Sequence, residues 1–82
     1  MDMWIMKKFF KGYHIKITEN RCWVHKDPDF NSKNIYMVYK NSIYTVVEQV
    51  DNWGKLKAGG WIHLSCTTKY KLPTKSSGII VL

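Results

Sequence analysis

The two cysteines and two of the three histidines fall in a mirrored arrangement, Cys22-Trp23-Val24-His25 and His63-Leu64-Ser65-Cys66. Two Cys and two His are the donor set of a tetrahedral zinc site, which needs its ligands to converge at bonds of roughly 2.0 to 2.3 Å. A two-residue spacing delivers that convergence on a knuckle turn or a helix. Here both pairs lie in strand-like runs with no Gly or Pro between the donors, and residues i and i+3 of a strand point to opposite faces, roughly 10 Å apart. The expectation is no metal, with His25 and His63 as surface strand residues and the thiols packed in or near the core. The same two cysteines allow one disulfide or two free thiols. Two in a chain of 82 residues do not make a disulfide scaffold, and buried free thiols are expected.

Cys66 with His63 or His25 also has the composition of a nucleophile and its base, but nothing nearby resembles a nucleophile elbow or an oxyanion loop. Asp27 and Asp29 flank Pro28 in a polar stretch, where such residues shape turns more often than they pair for acid–base hydrolysis. Gly59-Gly60 reads as a hairpin turn and not as a phosphate loop opening a helix. No catalytic residue and no cofactor is assigned, and the chain is expected not to be an enzyme. What remains is surface recognition. Trp4, Trp23, Trp53 and Trp61 exceed what a core of this size usually holds, and exposed Trp or Tyr near Lys is typical of grooves for peptides, sugars or single-stranded bases. Trp53, directly after the Asp51-Asn52 turn, is expected in such a groove with Lys55 close by, and Trp61 in the core.

The elements that must position these residues are strands. Val, Ile, Tyr, Trp and Thr recur with period 2 over 13–18, 21–25, 35–40, 43–50, 53–57 and 61–65, separated by short turns at 19–20, 41–42, 51–52 and 58–60. The longer polar connection at 26–34 is expected to run over the surface. Five to six short strands without an amphipathic helix predict an all-β fold, a small antiparallel barrel with extra N- and C-terminal segments. Residues 1–82 form a single domain in this reading, with a core at about 13–66, an arm at 1–12 that is either a strand or a short helix ending at Gly12, and a tail at 67–82. Ile79 to Leu82 would be costly to leave in water, so the tail is expected to pack on the barrel or on a partner.

Thirteen Lys or Arg oppose six Asp or Glu, for a formal charge of +7, and residues 52–82 carry five Lys and no acid. That balance favours anionic partners. Arg21 is the one arginine, which weakens a duplex-DNA reading, because guanine readout relies mostly on Arg. No apolar run approaches the roughly 20 residues of a membrane span. No export signal is legible in 1–11, where Lys7 and Lys8 interrupt the apolar stretch. Synthesis in the cytoplasm is expected, and the final compartment, release to a cell wall included, stays open.

Taken in order, Cys22-Trp23-Val24-His25, Asp27-Pro28-Asp29, Lys40-Asn41, Ile43-Tyr44-Thr45-Val46-Val47-Glu48, Asp51-Asn52-Trp53-Gly54-Lys55-Leu56-Lys57 and Gly59-Gly60-Trp61-Ile62 resemble the bacterial SH3 (SH3b-like) domain of clostridial and phage cell-wall hydrolases. The last two blocks are the specific part, and the resemblance spans Tyr13 to about Leu64. It implies an SH3-like barrel that binds peptidoglycan or its cross-bridge peptides in an aromatic groove. By position that groove would involve Trp23, Phe30, Tyr36 and Trp53. The family's Arg after its second strand is His25 here, its Asn is Trp23, and its loop glycines are Asp27 and Asp29, so the loop chemistry differs where ligand would sit. The leading expectation is a non-catalytic module recognising a cell-wall peptide through Trp23, Phe30, Tyr36, Trp53 and Lys55. The alternative is a phage- or mobile-element-type inhibitor or adaptor that docks on a host protein. Single-stranded nucleic acid ranks third.

Overall fold

A computed structural model describes residues 12–72 and 80–82. The expected strand or helix at 1–12 with Trp4, and the turn after Pro73, therefore lie outside the described residues, Gly12 excepted. Among the described residues the architecture is all-β: seven strands, β1 (Tyr13–Ile17), β2 (Arg21–His25), β3 (Asn34–Tyr39), β4 (Ile43–Val50), β5 (Trp53–Leu56), β6 (Trp61–His63) and β7 (Thr67–Tyr70), with one 3-10 turn (Leu64–Cys66) before the last. They make a single antiparallel sheet in the order β3-β2-β6-β5-β4-β1-β7.

The period-2 pattern places one face of each strand in a common core. Ile15 and Ile17 of β1, Val24 of β2, Val38 of β3, Tyr44 and Val46 of β4, Leu56 of β5 and Ile62 of β6 form one buried cluster. Residues from both ends of the strand order meet in that cluster, so the sheet is rolled into a barrel-like shape around it. Backbone bonds tie the roll together: Asn41 N donates to Ile17 O (2.8 Å) and Lys40 N to Asn20 O (3.2 Å), joining the end of β3 to the β1–β2 turn. Turn chemistry agrees with the residues chosen. Asn41 and Asp51 take positive φ (75° and 50°), which their short polar side chains tolerate, and Gly59 and Gly60 take 111° and 84°.

Two irregularities interrupt strict alternation. Between Val24 and His25 the β2–β3 register shifts so that Ile35 is the extra residue, and between Val46 and Glu48 the β4–β5 register shifts at Val47. Bulged residues point away from the ladder and bend the strand, and both Ile35 and Val47 are exposed.

The sixth predicted strand is shorter than the pattern suggests. It ends at His63, and Leu64–Cys66 turn instead. Residues 67–70, read from sequence as tail, form β7 and pair with β1 from His14↔Tyr70 to Ile17↔Thr67. Thr-Thr-Lys-Tyr carries little apolar signal. Its strand is held by the ladder, by Lys69 over the Tyr13 ring (4.9 Å) and by Lys16 over the Tyr70 ring (5.6 Å). At the other end of the chain Val81 makes a parallel bridge with Ile43, and Leu82 N donates to Ile43 O (2.6 Å) while Thr45 N donates to Leu82 O (3.2 Å). The C-terminal residues thus cover the part of β4 that β5 does not reach.

Candidate functional site

With Ile62 and Leu56 directed into the core, β5 and β6 turn Trp53, Lys55, Trp61 and His63 to the outer face. Register then sets the neighbours: Trp53 opposes His63, and Trp61 lies between Lys55 on one side and His25 on the other. Over this outer face folds the 26–33 connection, whose shape is dictated by its own polar atoms. Asp29 Oδ1 accepts from Asn31 N (2.9 Å), and the Ser32 hydroxyl accepts from Asp27 N (3.2 Å) and sits between the carbonyls of Asp27 (3.0 Å) and Asp29 (2.7 Å). Lys26 N to Lys33 O (2.8 Å) closes the neck of the loop. Asp27 and Asp29 therefore do the turn-forming work expected of them. The loop presents Phe30 at its tip.

Phe30 comes down on three rings. Its centroid is 4.7 Å from Trp53, 4.9 Å from His63 and 6.0 Å from His25, while Trp53 meets His25 at 5.4 Å and His63 at 5.0 Å, both edge to face. Such tilted and T-shaped contacts are the favoured aromatic geometries. The arrangement buries Trp53 and His25, each 8% exposed, yet leaves Phe30 65% exposed. Beside it opens a cavity of about 410 Å³. Trp23, Phe30 and His25 make its aromatic wall, Arg21, Asn34, His63 and Ser65 its polar wall, and Cys22 and Cys66 the remainder. Ser65 N–H donates to His63 Nδ1 (3.3 Å) and the Ser65 hydroxyl lies 2.7 Å from the same atom. Nδ1 is thus an acceptor, the ring carries its proton on Nε2, and His63 caps the 3-10 turn that brings Ser65 and Cys66 to the cavity.

Of the residues expected at a site, the structure brings Trp23 and Phe30 to the cavity wall and places Trp53 directly beneath Phe30. Trp53 is a floor and not the solvent-open groove residue expected, because the loop folds onto it. Tyr36 faces the other way, toward the core, where its hydroxyl donates to Gly59 O at 2.5 Å and burial raises its pKa, with Tyr44 adding to the effect. Lys55 is exposed on the same face as Trp53 but does not line the cavity. Trp61, expected in the core, is half-buried on the outer face. Arg21, Asn34 and Ser65 were missed, since single polar residues at strand ends carry no pattern.

The mirrored Cys and His motifs did hold a signal. Cys22, His25, His63 and Cys66 all line this one cavity, although His25 is buried there and not a surface residue. Among the described residues no group of three or more His, Cys, Asp or Glu is placed to hold a metal ion. Cys22 and Cys66 are half-buried and carry free thiols. Burial first, and then the Cys66 thiol hydrogen-bonded beside it, pushes the Cys22 thiol up to about 12, so at neutral pH it is protonated.

No protein family matches this chain. Neither does any curated protein or solved structure.

Proposed function

We propose that this domain is a non-catalytic binding module that takes a peptide, with a cell-wall peptide favoured, in the trough between Trp23, Phe30 and Arg21. The observation that carries the reading is Phe30. A large aromatic ring left mostly in water, seated on a buried aromatic floor and sharing its cavity with the exposed Trp23, has the composition of a recognition anchor. Arg21, Asn34 and Ser65, which line the same cavity, supply one cation and several hydrogen-bonding groups, the small polar set that orients a ligand on an otherwise aromatic surface. A peptide bearing a free carboxylate would set that group against the Arg21 guanidinium, which matches carboxylates in two-point geometry. The ordered Trp-Gly-Lys-Leu and Gly-Gly-Trp-Ile blocks that resemble bacterial SH3 domains point to the same ligand class.

The test is co-sedimentation of the purified protein with cleaned walls of low-GC Gram-positive cells across a salt series, with Phe30→Ala and Trp23→Ala as variants. Binding that persists through the salt series and is lost in both variants is the expected result. Absence of sedimentation overturns the wall-peptide reading. Binding that drops by orders of magnitude between about 50 and 200 mM salt overturns it as well, since that is the signature of counterion release from a polyanion. The alternative, docking on a host protein, draws on Ile80 and Leu82, 72% and 48% exposed. It requires that removing residues 80–82 abolish complex formation while Phe30→Ala leaves it intact.

A further inference from the structure

The two thiols meet at the end of the β2–β6 pair. β2 and β6 are ladder neighbours, with His25 opposite Trp61, and the 3-10 turn that ends at Cys66 follows β6 directly, so Cys22 and Cys66 meet side chain to side chain just past the end of that pair and line the same cavity. The backbone enforces this proximity. Thr18 N donates to Cys66 O (2.9 Å), which holds the 3-10 turn against the end of β1, and the two-residue turn that follows leads straight into Arg21 and Cys22. The contact therefore joins β2 to the turn between β6 and β7, beyond the β2–β6 ladder.

We propose that Cys22 and Cys66 are a thiol–disulfide site: a reversible intramolecular disulfide that ties β2 to the turn between β6 and β7 and becomes part of the wall of the Phe30 cavity. The oxidant is a low-molecular-weight disulfide. Cys66 loses its proton to solvent and its thiolate attacks one sulfur of the reagent, breaking the reagent's S–S bond and releasing one thiolate. Cys22 then gives up its proton and attacks the Cys66 sulfur, forming the Cys22–Cys66 bond and expelling the second thiolate. Two protein thiols are oxidised and one disulfide is reduced to two thiols. Cys66 takes the first step because burial and its neighbour hold Cys22 in the protonated form. Once Cys66 is capped it no longer bears a negative charge, and the part of the Cys22 shift due to that charge disappears. The bond would close a loop of about half the chain, and cross-links of long loops restrict the unfolded ensemble most.

The experiment treats the full chain with oxidised glutathione and reads three quantities: free thiols, intact mass and Tm, with the Cys22→Ser/Cys66→Ser double variant as the reference. Expected are loss of both thiols, a mass lower by two hydrogens, a monomer on non-reducing electrophoresis, and a Tm higher by roughly 10 °C or more that dithiothreitol reverses. The double variant shows no Tm response. Glutathione adducts retained on both cysteines, or a disulfide-linked dimer, overturn the proposal. So does an intramolecular bond that leaves Tm unchanged or lowers it, because the bond would then strain the fold and not brace it. None of these readouts involves a ligand, so failure here and failure of the peptide-binding reading are separate results.

Discussion

Phe30→Ala separates recognition from stability because the ring is exposed on one side and packed on the other. At 65% exposure, about a third of its surface is removed from water. Full burial of Phe is worth about 1.5–3 kcal/mol, so its share is about 0.5–1 kcal/mol. The ring contacts with Trp53, His25 and His63 add a few tenths more at a site this open, for a total of about 1 kcal/mol and a fall in Tm of about 4–8 °C. Loss of a central anchor costs about 2 kcal/mol or more in binding, about thirtyfold in Kd. Titration of a wall-derived peptide, followed by calorimetry alongside a thermal melt, measures both. The counter-variant is Trp53→Ala, where truncating a ring only 8% exposed costs about 3–5 kcal/mol, a large part of what a domain of this size holds. An unchanged Kd for a folded Phe30→Ala protein refutes the anchor. A stability loss above about 3 kcal/mol for Phe30→Ala refutes the premise that the ring is present for ligand and not for the fold.

Three further perturbations test the frame around the site. A Cβ on Gly60 would lie 2.4 Å from Val24 Cγ1, 2.6 Å from Ile35 Cδ1 and 3.1 Å from His25 O at a φ of +84°, whereas one on Gly59 meets nothing within 4 Å. Gly60→Ala should therefore cost about 2–4 kcal/mol and Gly59→Ala about 1 kcal/mol in urea unfolding, and equal costs would remove the close approach of the β5–β6 turn to β2. The Cys22 thiol is raised from 9.0 to about 12; the unfolded thiol ionises first, so its contribution is fully present below pH 9 and is lost as pH rises toward 12. Reduced wild type should lose stability over that window more steeply than Cys22→Ser, and superimposable pH profiles would contradict the burial of the thiol. Removing residues 80–82 deletes the two backbone bonds to β4 and uncovers Ile43, for a loss of about 1–3 kcal/mol. An unchanged melt would mean that β4 does not need this cover.

Local pattern alone made much of the fold readable. The strands at 21–25 and 43–50 match their predicted bounds and the others differ by one or two residues at an end, because alternation and β-branched or aromatic composition act within a few positions. Turns at Asn41 and Asp51 were readable for the same reason, since positive φ is a property of one residue. β7 was not. Thr67–Tyr70 has a polar, nearly patternless sequence, and it is a strand because β1 offers an unpaired edge to it.

At the site, period 2 determined that Trp53 and His63 share a face and that Leu56 and Ile62 take the other. It did not determine which face the solvent reaches. The 26–33 loop, with six polar residues of eight, carries Phe30 back over that face, and only its tertiary placement turned Trp53 from an exposed groove residue into a buried floor. Composition likewise established two cysteines and two histidines in mirrored spacing, but a strand's direction says nothing about how far a sheet rolls. The pairing of β2 with β6 and the turn that follows β6 bring Cys22 to Cys66. Sequence acts over the few residues whose dihedrals and side chains it controls directly; contacts between distant strands depend on the twist, bulges and curl of the whole sheet, which accumulate over every pair in it.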